Sequence, residues 1–342
     1  MGRHEENGAQ KGATGLGNIL EVRDLNINFQ IDEKYYSAVQ NVSFHIAEGE
    51  TLGLVGESGC GKSVTSLAIM RLLQETTKVT GTIDFKGQNL LDLTEPQMRK
   101  VRGNDIAMIF QEPMTSLNPV YKIGTQIGES LLLHKGMTVK QAQLKAIELL
   151  KQVGIPRAEQ IANEYPHQLS GGMRQRVMIA IAMACQPHLL IADEPTTALD
   201  VTIQAQILDL MRKLTADNKM STLLITHDLG VVAEMCDRVA VMYAGRIVEE
   251  GPVRTIFHNP QHPYTIGLLK SLPKIEGERT RLQPIEGNVP SLRNMPAGCR
   301  FAPRCPHAME VCRTEDPSPA LVEDAHEVRC WLHHEARSEV HV

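Results

Sequence analysis

Residues 56–63 read GESGCGKS: three glycines, a lysine and three small polar or sulfur-bearing side chains in eight positions, with almost nothing to bury. A short apolar run, TLGLV at 51–55, precedes the octet, and apolar residues at helical spacing follow from Val64 to Leu73. The octet therefore reads as a strand-to-helix turn, and it fits the phosphate-loop pattern with Gly56, Gly61, Lys62 and Ser63 in place. Glycines let consecutive backbone N–H groups point into one concavity without Cβ clashes, and the following helix adds its dipole. Gly56, Ser58, Gly59, Cys60, Gly61, Lys62, Ser63 and Val64 make up the expected cradle. Lys62 is expected to reach the β- and γ-phosphates, and the Ser63 hydroxyl to ligate Mg²⁺. Cys60 stands two residues before Lys62 in what reads as a positive field, which predicts a lowered thiol pKa and fast alkylation.

Composition frames the loop. The chain has 342 residues, a formal net charge of −5 and ordinary apolar and charged fractions, enough for one large or two modest domains with ample core. The negative charge argues against general nucleic-acid binding, which needs a basic surface. The longest apolar run, Val177 to Cys185, is nine residues and too short to cross a membrane. The first eighteen residues are polar and glycine-rich and read as a flexible tail, and Glu6 breaks the myristoylation pattern beginning at Gly2. A cytosolic protein is expected. Of seven cysteines, Cys60, Cys185 and Cys236 are scattered, while Cys299, Cys305, Cys312 and Cys330 crowd into the last 45 residues and mark a second module.

Two further stretches carry chemistry. Residues 189–195 read LLIADEP, an apolar strand ending in two carboxylates. Asp193 is placed beside Ser63 to hold Mg²⁺ through water, and Glu194, pointing differently, to polarise the water that attacks the γ-phosphate. Residues 169–176 read LSGGMRQR and open the apolar helix VMIAIAMAC. A serine and two glycines at a helix start form a second anion site from hydroxyl, amides and dipole. A second cradle makes sense if it serves the nucleotide of a partner subunit.

With these residues the chain resembles the ATP-binding-cassette (ABC) ATPases, whose signature sequence LSGGMRQR matches. The resemblance implies an α/β P-loop NTPase fold with an amino-terminal β-subdomain and an inserted helical subdomain. It implies that Ser170, Gly171, Gly172 and Gln175 bind a partner's ATP in trans, and that Gln111, in IFQEP, is the glutamine reaching Mg²⁺ and the attacking water. Asp200, ending TTALD at 196–200, resembles the D-loop aspartate that contacts the opposite subunit, and His227, after the strand TLLIT, the γ-phosphate histidine. Phe29 aligns best with the aromatic residue that stacks on adenine, with Tyr35 and Tyr36 as alternatives beyond the polar IDEK. Strands are expected near 20–28 and 42–47, and a helical segment at about 112–168 in which Thr138 and Gln141 form a capping box. In that helix Val139, Ala142, Ala146, Leu149, Leu150 and Val153 recur at helical spacing, and VAVMYAGRIVEEG at 239–251 reads as a hairpin turning at Ala244–Gly245. The cassette is expected over 19–255 and the extension over 256–342.

FQEPMTSLNPVYKIGTQI (110–127), HNPQHPYTIGLLKSLP (258–273) and RFAPRCP (300–306) resemble the oligopeptide/dipeptide subfamily of bacterial importer ATPases. There is no heptad run of a repair-type member and no second phosphate loop of a translation-type member. The resemblance implies an ATPase at the cytoplasmic face of the bacterial inner membrane, peripheral to it. Its partners would be a second cassette, a copy or a related chain, two transmembrane permease subunits and, indirectly, an extracytoplasmic substrate-binding protein, with no nucleic acid. Alternatives are import of nickel or another small solute, or an ABC ATPase acting on nucleic acid or ribosomes.

Seven prolines in 284–319 argue against a helix or central strand there, and so apolar-poor a module is expected to need a cross-link. The tail cysteines follow C-x5-C-x6-C-x17-C. Disulfides suit a cytosolic chain poorly, and the spacing lacks paired zinc knuckles. Spacing leaves iron, zinc and free thiols open, with His307, His326, His333 and His334 available for mixed zinc ligation. The subfamily resemblance implies a 4Fe–4S cluster on Cys299, Cys305, Cys312 and Cys330.

Overall fold

The computed structural model describes residues 17–111, 116–197, 199–271 and 285–334. The expected flexible tail, with Gly2 and Glu6, lies almost wholly outside the described residues, as does Ala198 of TTALD. In chain order the strands are β1 (Asn18–Ile31), β2 (Lys34–Ala47), β3 (Thr51–Val55), β4 (Lys78–Phe85), β5 (Gln88–Asn89) and β6 (Ile106–Ile109). They continue with β7 (Leu189–Asp193), β8 (Ser221–Thr226), β9 (Arg238–Tyr243), β10 (Arg246–Pro252), β11 (Ala320–Glu323) and β12 (His326–Val328).

They form two sheets, a four-stranded one ordered β2-β1-β4-β5 and an eight-stranded one ordered β11-β12-β10-β9-β3-β8-β7-β6. The first is antiparallel. β1 and β2 are longer than the apolar pattern suggests because IDEK is itself the turn: Ile31 pairs with Lys34, and Asp32 and Glu33 between them take φ of 48° and 63°. Two successive left-handed residues match the right-handed twist of a hairpin.

In the larger sheet β9, β3, β8, β7 and β6 pair in parallel. A parallel sheet is covered on both faces, so its strands carry continuous apolar runs; TLGLV, LLIAD and STLLIT are buried almost throughout. β9 and β10 turn back through Ala244 (φ 44°) and Gly245 (φ 81°), as the sequence expects. Only glycine fits at 245, because a Cβ there would stand 2.0 Å from the Ala38 carbonyl oxygen.

Helices Ile123–Lys135, Val139–Gln152 and Ala158–Ile161 occupy the expected helical region. The capping box forms, the Thr138 amide donating to Gln141 Oε1 at 2.9 Å and the Gln141 amide to Thr138 Oγ1 at 3.4 Å. Ala142, Ala146, Leu149 and Leu150 are buried in a core shared with the helix Gly171–Met183. Val139, at the first helical position, faces solvent instead.

The carboxyl-terminal module differs most from expectation. It does not stand alone: Phe301 is buried in one apolar cluster with Tyr243, Tyr264, Val248 and Ile256 of the preceding chain. β12 pairs with β10, so the tail adds two strands to the central sheet. His326 of β12 and Glu249 of β10, neither exposed, meet at 2.9 Å (Nε2 to Oε1). Shared burial supplies the stabilisation that a cross-link was expected to provide.

Candidate active site

The turn after β3 carries the phosphate loop, and its glycines are where the backbone demands them. Gly56, Gly59 and Gly61 take φ of 153°, 78° and 107°. A Cβ on Gly56 would come within 2.1 Å of the Met242 carbonyl oxygen, and one on Gly61 within 2.9 Å of Met242 Cε. The helix Lys62–Ile69 starts at the end of the turn. Lys62 is 5% exposed. Its Nζ donates to the Gly56 and Glu57 carbonyls at 2.8 and 3.0 Å, folding the side chain over the loop.

Cys60 corrects the sequence reading. Its thiol is fully buried, and burial pushes its pKa up, outweighing the lowering by Lys62. The charges were read correctly and the desolvation was not visible.

β7 ends beside this loop. The Ser63 hydroxyl donates to Asp193 Oδ1 at 3.1 Å. Asp193 is 4% exposed, and burial raises its pKa against the opposing Ser63 hydrogen bond. Glu194 turns sharply, with φ of 47° and its amide donating to the Ile225 carbonyl of β8 at 2.8 Å. A left-handed non-glycine residue is a locally costly conformation held by its surroundings. It separates the two carboxylates, as the sequence reading expects. Glu194 Oε2 accepts from Gln111 Nε2 and Thr197 Oγ1, each at 2.9 Å, and Oε1 lies 3.1 Å from His227 Nδ1. Burial raises the Glu194 pKa, but the bonds from His227 and Thr197 outweigh it and hold the carboxyl below its usual value. The residues after β6, β7 and β8 thus converge on one carboxylate. Thr197 escaped the sequence reading; its signal was a hydroxyl three residues after Glu194.

The other expected site residues lie on nearby elements. Ser170 caps the helix Gly171–Met183, its hydroxyl accepting from the Met173 amide at 3.3 Å. A Cβ on Gly172 would meet Ile203 Cγ2 at 2.9 Å, so this glycine lets the helix Val201–Asn218 pass close by. Gln175, buried, donates to the Pro195 carbonyl. Asp200 caps Val201–Asn218, accepting from the Ile203 amide at 3.0 Å. Phe29 and Tyr36 pair across the β1–β2 hairpin, and Tyr35 is exposed.

The tail cysteines do not form the expected iron–sulfur ligand set, nor the zinc alternative. Among the described residues no group of three or more His, Cys, Asp or Glu is placed to hold a metal ion. Burial pushes the Cys299 and Cys330 thiols up to about 11 each. Cys312 Sγ accepts from the Met309 amide at 3.5 Å. Ring nitrogens of three of the four candidate histidines are engaged elsewhere: His326 with Glu249, His333 with the Gln261 carbonyl at 3.2 Å and His334 with the Ser318 carbonyl at 2.9 Å.

Comparison with known proteins places this geometry. Residues 39–197 match the ABC transporter family, and residues 248–312 match the oligopeptide/dipeptide transporter C-terminal region. The oligopeptide transport ATP-binding protein AppD of Bacillus subtilis is 55% identical over 326 residues, covering 95% of this chain and 99% of that one. The oligopeptide transport ATP-binding protein OppD of Salmonella typhimurium is 49% identical over 303 residues, covering 89% and 90%. Among solved structures, the dimeric post-hydrolysis state of the ATP-binding cassette MJ0796 bound to ADP and Pi aligns with a TM-score of 0.62 and 29% identity, over 69% of this chain and 99% of that one. With its phosphate loop, anchored Glu194 and matching carboxyl-terminal region, the chain belongs to the ABC-transporter ATPases, in the group that carries the oligopeptide/dipeptide transporter C-terminal region.

Proposed function

We propose that this chain is the ATP-hydrolysing subunit of a multi-subunit importer of dipeptides and oligopeptides, bound peripherally at the inner membrane. The observation that carries the catalytic part is Glu194, one residue past Asp193 and accepting from Gln111 and Thr197 with His227 at its other oxygen. The peptide substrate rests on the relatives, named for oligopeptide and dipeptide transport at 55% and 52% identity.

In this reading the phosphate-loop amides and Lys62 bind the β- and γ-phosphates of ATP, Lys62 leaving the carbonyls of Gly56 and Glu57 to do so. Hard oxygen donors suit Mg²⁺: Ser63 Oγ and the buried Asp193 carboxylate meet, and Gln111 lies on the neighbouring loop. These three residues would hold the ion, which neutralises charge on the transferring phosphoryl group. Glu194 orients the attacking water and takes its proton, and His227 contacts the γ-phosphate. Phe29 stacks on adenine. Ser170, Gly171, Gly172 and Gln175 close on the nucleotide of a second cassette, with Asp200 at the same junction. Closure of the pair pulls on two membrane subunits through the Gln111 loop, and hydrolysis reopens it.

The test is transport by the complex purified with its neighbouring subunits and reconstituted into vesicles. ATP-dependent uptake of short peptides, abolished by Lys62→Ala, is the expected result. A complex that hydrolyses ATP but accumulates nickel or another small solute and no peptide overturns the substrate assignment.

A further inference from the structure

The second residue of the phosphate loop, Glu57, is held by the carboxyl-terminal module. Arg304 Nη1 donates to Glu57 Oε2 at 2.7 Å and Nη2 to Oε1 at 3.1 Å, a forked pair spanning 247 residues of sequence. The Glu57 amide donates to the Tyr264 hydroxyl at 2.9 Å, and the Glu57 carbonyl accepts from Lys62 Nζ at 3.0 Å and from the Cys60 amide at 3.3 Å. Side chain, amide and carbonyl of this residue are therefore all engaged.

Arg304 is anchored on its own side. Its Nε donates to the Glu286 carbonyl at 2.9 Å and Nη2 to the Ile285 carbonyl at 3.1 Å. Nη1 also reaches the Tyr243 hydroxyl at 3.3 Å. The side chain is 5% exposed. It stands over Tyr243, which packs with Tyr264 and Phe301 at ring separations of 4.7 and 5.1 Å. A second link runs to the middle of the loop: Arg300 donates to the Ala244 carbonyl, and the adjacent Gly245 amide donates to the Cys60 carbonyl at 2.7 Å. An Arg fork fixed on both sides positions its partner in a way a flexible ammonium cannot.

We propose that Arg304 is a positioning residue for the phosphate loop, through which the carboxyl-terminal module sets the grip of the loop on nucleotide. Glu57 carries one of the two carbonyls that tether Lys62, the other being that of the adjacent Gly56, so displacing Glu57 moves the resting place of the lysine. Arg304 also neutralises a carboxylate that would otherwise repel the phosphates of ATP. The chemistry of hydrolysis sits on other loops, at Glu194, Gln111 and His227, so the effect belongs to binding. The proposal rests on the nucleotide-site reading above.

The experiment measures MgATP affinity, turnover at saturating ATP and thermal midpoint for the full chain and its variants. Arg304→Gln is expected to raise the Kd for MgATP about tenfold, or about 1.4 kcal/mol, with saturated turnover within about twofold of the parent. Arg304→Lys should recover only part of the affinity, because an ammonium cannot take both carboxylate oxygens. Glu57→Gln combined with Arg304→Gln should bind no more weakly than Arg304→Gln alone, since both remove one interaction. If Arg304→Gln fails to fold, Arg304→Lys carries the test, with a raised Kd in the folded protein. Unchanged Kd in folded Arg304 variants, or a loss confined to saturated turnover, overturns the proposal. Lys62→Ala serves as the reference: if it loses affinity while Arg304→Gln does not, only the brace falls. If Lys62→Ala keeps its affinity, the nucleotide site itself has been misassigned.

Discussion

Replacing Glu194 with glutamine isolates the base from its scaffold. The carboxylate accepts from Gln111 and Thr197 at one oxygen and faces His227 Nδ1 at the other. A glutamine can keep its amide oxygen toward Gln111 and Thr197 and turn its amide nitrogen toward His227, which then accepts at Nδ1. All three contacts survive, so the fold and the left-handed turn at φ 47° should persist. The proton acceptor is what is lost. Positioned general bases contribute about 10²–10⁴-fold, which is about 2.7–5.4 kcal/mol at 1.36 kcal/mol per decade. Lys62 and Ser63 are untouched, and one negative charge is removed from the site, so ATP affinity should hold or improve. The assay is single-turnover hydrolysis alongside ATP binding and size-exclusion in MgATP. The expected protein binds ATP, turns it over at least 10²-fold slower and accumulates as a closed dimer. Because its neighbours hold the Glu194 carboxyl below the usual value, the parent enzyme should show no Glu194-dependent loss of rate anywhere above the ordinary carboxylate range. A well-folded Glu194→Gln protein turning over within about fivefold of the parent would contradict the general-base role. Glu194→Ala is the poorer probe, since it also strands three partners.

Three shorter predictions accompany it. Ser170→Arg should block hydrolysis at the partner's nucleotide at a cost of about 1 kcal/mol for the lost helix cap, leaving ATP binding to the isolated chain intact; collapse of that binding in a folded variant would defeat the trans assignment. Cys60, buried and shifted toward the neutral thiol, should be labelled by a maleimide more slowly than the part-exposed Cys299 and Cys305, and peptide mapping that finds Cys60 labelled first would refute it. Glu250 is raised from 4.5 to about 7, burial outweighing Arg238. The folded chain therefore holds this proton where the unfolded chain releases it, and the contribution is full below pH 4.5 and gone above about 7. Denaturation midpoints across that window should fall less steeply with rising pH in Glu250→Gln than in the parent.

What the sequence disclosed follows from how local the physics is. The glycines at 56, 59 and 61 were legible because a left-handed backbone at each is a property of a few consecutive residues. Asp193, Glu194 and His227 were legible because each follows an apolar run, and parallel strands deliver their carboxyl ends to one edge of the sheet. Thr197 was within reach of the same reasoning. Arg304 was not: its partner lies 247 residues away, and no periodicity or spacing joins RFAPRCP to GESGCGKS.

The two corrections share one cause. At Cys60 the sequence displayed a lysine and a helix start, both favouring thiolate, while the burial that reverses the sign comes from packing between β-hairpin, loop and sheet. In the tail it displayed four cysteines in a segment too poor in apolar residues to fold alone, so a cross-link of some kind was expected. That inference treated the segment as independent, whereas Phe301 borrows Tyr243 and Tyr264 for its core and β12 borrows β10 for its edge. Once the tail's stability comes from the cassette, the dependence runs both ways: the surface on which the tail folds includes the phosphate loop, through Glu57 and Tyr264. A module that must dock to fold is therefore also a module whose docking the nucleotide site can feel.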